Sequence, residues 1–130
     1  MDLPLINSNS IFIMAQTKVK PELLTGGFNT ITALTPAATV NVDYNSAQIF
    51  TLTPTSNTTL NITDPIIGIS KAFIITGTGN SYTITLNVGG SANTFNKITG
   101  DYDDTNGKKN LIQIMCVGTT EFWYTITQPA

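Results

Sequence analysis

The densest group of side chains able to do chemistry is Asp101, Asp103, Asp104 and Asn106, packed into DYDDTNG. Clustered carboxylate and carbonyl oxygens are what a hard cation such as calcium takes, so the three aspartates are candidate metal ligands. The spacing does not fit an EF-hand. With Gly107 at the loop glycine, Tyr102 falls where the first Asp must stand, and no Glu closes the loop. The competing reading is a solvated acidic loop with an Asn106-Gly107 turn, and the reading adopted has no metal and no cofactor. Two carboxylates can also serve a glycosidase, but those enzymes hold theirs across a cleft, whereas these share one loop.

The chain has no histidine. That removes the commonest general base and any Ser-His-Asp or Cys-His pair, and with no catalytic residues assigned the chain reads as a non-enzyme. Cys116, the single cysteine, excludes an intrachain disulfide and reads as a buried structural thiol. Gly77-Thr78-Gly79-Asn80 has no helix after it to hold a phosphate, so it reads as a hairpin turn. Tyr102, Trp123 and Tyr124 are candidate glycan contacts, because an aromatic ring can stack on the C–H face of a pyranose. Core or subunit interface is the preferred reading for all three.

The elements that must position these residues are strands. Charged residues are 11 % of the 130-residue chain, against about 25 % in ordinary domains, and threonine and asparagine carry the polar positions. Threonine suits a pleated surface and asparagine suits turns. Net charge is −2, so no basic field attracts nucleic acid or anionic lipid. The apolar run at Ile11–Met14 is too short for a signal peptide core or a membrane span, which points to a product made in the cytoplasm.

The organising stretch is residues 109–127. It reads as an antiparallel hairpin about Gly118-Thr119-Thr120, with Phe122, Tyr124 and Ile126 on one face and Trp123, Thr125 and Thr127 on the other. Its first strand is apolar on both faces and therefore central. Before it, alternation predicts strands over 39–44, 47–55, 58–63, 71–76, 81–88 and 94–99, eight in all. The fold expected is all-β, a jelly-roll-like antiparallel β-sandwich over residues 39–130. Residues 1–38, broken by Pro4, Pro21, Gly26-Gly27 and Pro36, read as an extended arm, with residues 1–13 an optional extension before Met14. Leu3, Leu5, Ile6, Ile11, Phe12, Ile13, Leu23, Leu24 and Phe28 are too many apolar side chains for a solvated tail, so they are the expected anchor against a partner subunit.

The series VNVDYNSAQIFTLTPTSNTTLNITDP, KAFIITGTGNSYTITL and NLIQIMCVGTTEFWYTI resembles a recurrent module of tailed-bacteriophage virion proteins over residues 39–127. AQTKVKPELLTG, residues 15–26, is similar to the linkers that open the heads of fibre and appendage proteins. The module's tryptophan-rich loop is replaced here by FNKITGDYDDTNGKKN. The resemblance implies a non-enzymatic virion component, usually a trimeric β-sandwich, that contacts other virion proteins and can touch a host-surface glycan. Its short length favours a head-fibre or capsid decoration protein over a tail-fibre subunit. A free-standing carbohydrate-binding module is the competing class.

Overall fold

The computed structural model describes residues 30–89 and 94–130, and within them every regular element is a strand. The strands are β1 (Ile31–Ala33), β2 (Thr39–Asp43), β3 (Ile49–Leu52), β4 (Thr58–Thr63), β5 (Ser70–Thr76), β6 (Ile84–Val88), β7 (Thr94–Thr99), β8 (Lys109–Cys116) and β9 (Glu121–Thr127). They form a six-stranded sheet of order β1-β3-β5-β8-β9-β7 and a three-stranded sheet of order β2-β4-β6. Strands β1 to β6 alternate between the two sheets, and β1 to β4 each pair in parallel with the strand one turn further along. The result is a β-solenoid of about four turns.

This corrects the expected antiparallel, jelly-roll-like sandwich. The alternation was real: Phe50 and Leu52, Leu60 and Ile62, and Phe73 and Ile75 all lie buried between the sheets. What differs is the pairing. Residues 77–80 were expected to close a hairpin onto a strand over 81–88; residues 77–83 instead turn a corner from one sheet to the other, and β6 begins at Ile84. Gly77 shows why glycine is needed there, since a Cβ would sit 2.3 Å from the Thr105 carbonyl oxygen of the neighbouring loop. Antiparallel pairing is confined to the last part of the chain, where β8 runs against both β5 and β9. There β7 pairs in parallel with β9 at the far edge, after β8 and β9 have been inserted between it and β5.

A periodic signal accompanies the stack. Thr39-Val40-Asn41-Val42, Thr59-Leu60-Asn61-Ile62 and Thr85-Leu86-Asn87-Val88 lie in register on β2, β4 and β6. The apolar members face the core, and the asparagines form an external ladder. Asn61 Nδ2 donates to Asn41 Oδ1 (2.9 Å), and Asn87 Nδ2 donates to Asn61 Oδ1 (3.3 Å). Identical side chains satisfy one another only in parallel, in-register strands, so the ladder helps to specify the stack.

The core runs from Val40, Val42 and Tyr44 through Phe50, Phe73 and Ile75 to Ile112, Ile114 and Phe122. Phe50 stacks on Phe73 one turn away, and Phe122 stacks on Phe95, with ring centroids 5.2 Å and 5.0 Å apart. β8 is central, as its composition predicts, and Cys116 is buried with its thiol donating to the Gly118 carbonyl (3.1 Å). Burial raises the thiol's pKa. Of the expected arm, residues 31–33 form β1 within the first turn. The anchor residues Leu3, Leu5, Ile6, Ile11, Phe12, Ile13, Leu23, Leu24 and Phe28 lie outside the described residues.

Candidate functional site

The acidic loop is braced against the solenoid corner. Asp104 accepts hydrogen bonds on Oδ1 from the Thr78 amide (3.0 Å) and the Tyr102 hydroxyl (2.8 Å). Its Oδ2 accepts from the Thr78 hydroxyl (3.0 Å) and from the amides of Asn80 (3.2 Å) and Tyr82 (2.9 Å). Partial burial by itself raises the Asp104 pKa. The amides of Thr78 and Tyr82 and the hydroxyls of Tyr102 and Thr78 outweigh that and hold it at about 2.

Asp103 and Asp101 are engaged elsewhere. Asp103 Oδ1 accepts from the Thr105 amide (2.9 Å), and the Thr105 side chain, followed by that amide, lowers the Asp103 pKa, while Asp101 pairs with Lys97. The three carboxylates therefore serve three different partners, and among the described residues no group of three or more His, Cys, Asp or Glu side chains could hold a metal ion. Asn110, fully buried at the start of β8, ties this loop down. Its Nδ2 donates to the Asp103 carbonyl (2.8 Å), and its Oδ1 accepts from the Asp103 amide (2.8 Å) and Gln128 Nε2 (2.7 Å). The Asn106-Gly107 turn is present, with Gly107 at φ +79° and the Lys108 amide bonded to the Thr105 carbonyl (2.8 Å).

The three candidate glycan contacts are not brought together. Alternation along β9 sends Tyr124 to the inner face, where it meets Phe95 edge-on, and Trp123 to the outer face. Tyr102 packs against the core at the acidic loop, its hydroxyl held by Asp104. Trp123 is the one of the three that solvent reaches broadly, at 44 % exposure.

Around Trp123 the outer face of the six-stranded sheet forms a shallow groove of about 320 Å³. Two registered rows build it: Ser70, Met115 and Trp123 in one, Ala72, Gln113 and Thr125 in the other. Gln48, just ahead of β3, completes one side by donating Nε2 to the Ser70 carbonyl (2.9 Å). Ile98, at the irregularity between β7 and β9, stands at the other side. Trp123 Nε1 donates to Glu121 Oε2 (3.3 Å), which also accepts Asn96 Nδ2 (3.1 Å), so the indole is oriented from two strands.

Gln48, Ser70 and Gln113 were not singled out in the sequence. Each is an ordinary polar residue on an alternating strand or beside one, and only the pairing of β5, β8 and β9 sets them beside Trp123. The Thr-x-Asn-x repeat was not singled out either, although it stands in the sequence at unequal intervals, at Thr39, Thr59 and Thr85.

Comparison with known proteins yields no match to any protein family, curated protein or solved structure.

Proposed function

We propose that this chain is a non-enzymatic structural subunit of a tailed-bacteriophage virion, a head-fibre or capsid decoration protein attached to the particle through its N-terminal segment. The resemblance of residues 39–127 to virion modules supports the reading; the sandwich that came with that resemblance is no part of it.

The observation that carries the proposal is where the N-terminal segment joins the solenoid. At one end the six-stranded sheet is closed by β8, β9 and β7. At the other, among the described residues, the stack ends at β1 and β2, and residues 1–29 connect there through Thr30, whose carbonyl accepts from the amides of Gln48 and Ile49 (3.0 and 3.3 Å). Repeat stacks need their ends covered. A segment rich in apolar side chains at that end suits docking onto neighbouring subunits, and a homotrimer is the assembly proposed.

The test is fractionation. Mass spectrometry of particles purified by density gradient from cells making the chain should find it at fixed stoichiometry. A full-length variant with Ile11, Phe12 and Ile13 replaced by serine should stay in the soluble fraction. Wild-type chain recovered only as free protein would sink the proposal.

A further inference from the structure

We propose that the groove beside Trp123 is a binding site for a neutral saccharide, with the indole as the platform for one pyranose ring and Gln113, Gln48 and Ser70 as partners for its hydroxyls. Three observations converge on that chemistry.

The first is the state of the indole. Its N–H is engaged by Glu121, which fixes the ring and leaves its faces, not its polar edge, for a ligand. An oriented, half-exposed aromatic face matches the C–H face of a sugar. The second is the polar lining. The Gln113 side-chain amide has no hydrogen-bond partner among the described residues, and Gln48 donates through Nε2 to the Ser70 carbonyl while Oε1 stays open. With the Ser70 and Thr125 hydroxyls, the groove offers both donors and acceptors, which is what vicinal hydroxyls require. An interface between apolar subunits would leave those groups desolvated and unpaired.

The third is charge. Among the described residues the one charged residue lining the groove is Lys71, and its side chain turns inward: it is 4 % exposed, and Nζ donates to the Ala47 carbonyl at 2.8 Å. The described lining therefore presents no cation to a carboxylate or phosphate, which favours a neutral ligand. At about 320 Å³ the groove lies at the small end of the ~300–1,000 Å³ typical of ligand pockets, room for about one ring with the rest of the glycan in solvent.

Trp123 is the only tryptophan in the chain, so tryptophan emission, excited beyond the tyrosine absorption band, reads this groove alone. The full-length protein would be titrated with a panel of neutral oligosaccharides and, in parallel, with sialylated and uronic-acid glycans. At least one neutral glycan is expected to shift the emission saturably, and Gln113→Ala to weaken it about fivefold or more with the urea midpoint unchanged. Trp123→Ala, followed by calorimetry, should abolish binding while the far-ultraviolet circular dichroism stays that of wild type.

The proposal is overturned if no neutral glycan binds, if acidic glycans bind in preference, or if binding survives both substitutions. It is equally overturned if the wild-type protein forms a stable oligomer in which acrylamide cannot quench Trp123. Saccharide binding here does not depend on what the N-terminal segment docks onto, so its failure leaves the fractionation result untouched.

Discussion

Replacing Asp104 with asparagine tests whether one carboxylate holds the acidic loop to the solenoid corner. The side chain accepts five hydrogen bonds, two on Oδ1 and three on Oδ2. An asparagine can keep one oxygen's set, but its NH₂ group must then face the donors of the other. The pKa falls from 3.8 to about 2 in the folded state, which at ~1.4 kcal/mol per unit corresponds to about 2 kcal/mol for the charge. The side chain is partly exposed, so screening reduces that to ~1–2 kcal/mol. Donors left facing the amide add to the loss, and the expected total is about 2–3 kcal/mol.

With a urea m-value of about 1–3 kcal/mol/M, the unfolding midpoint of Asp104→Asn should fall by roughly 1–2 M at neutral pH. The sign of the pH dependence follows from the depressed pKa. The contribution is fully present above the unfolded value near 3.8 and is lost as pH falls through about 2. Wild type should therefore lose stability over that window while the variant loses much less; the lowered pKa of Asp103 leaves it a residual slope. Urea titrations at pH 7, 4, 3 and 2 decide the matter. A variant within ~0.5 kcal/mol of wild type, with the same acid profile, would refute the anchoring role.

Gly100→Ala should abolish soluble expression or cost more than about 3 kcal/mol, because φ is +86° and the added Cβ would meet the Ile126 carbonyl oxygen at 1.7 Å; thermal unfolding of any recovered protein checks this. Tyr44→Phe removes the hydroxyl that donates to the Ile69 carbonyl, which keeps the Cys116 amide (3.3 Å) as a partner, so the loss should be about 1 kcal/mol in urea. Burial raises the Tyr44 pKa above 10.0, so the unfolded tyrosine ionises first and stability is lost as pH rises beyond 10; the phenylalanine variant should lose less there than wild type. Along the asparagine ladder, Asn61→Ala breaks two side-chain hydrogen bonds where Asn41→Ala breaks one, so chemical denaturation should show about 1–2 kcal/mol against about 0.5–1 kcal/mol.

Part of the candidate site was legible in the sequence. Trp123 could be assigned to the face opposite Phe122, Tyr124 and Ile126 by alternation alone, and it lies there, exposed. Tyr102 and Tyr124 could not be separated from it by residue type, because the difference is burial: one hydroxyl is held by Asp104 and the other ring packs on Phe95. Nor does DYDDTNG announce its partners. Four of the five donors to Asp104 come from residues 78–82, brought alongside only when the chain turns the corner at Gly77.

That the described chain is built of strands, which side of most strands is buried, that β8 is central and that Cys116 is inside could all be read from the sequence. Each follows from residue type and a period of two, properties local to a strand. Which strand pairs with which emerged only from the folded chain. A strand buries the same side whether it folds back on its predecessor or stacks on the strand one turn away, so alternation is blind to the choice between sandwich and solenoid. That choice lay in longer-range facts: a corner at Gly77 too crowded for any side chain, and threonine-asparagine repeats whose side chains meet only when β2, β4 and β6 lie parallel and in register.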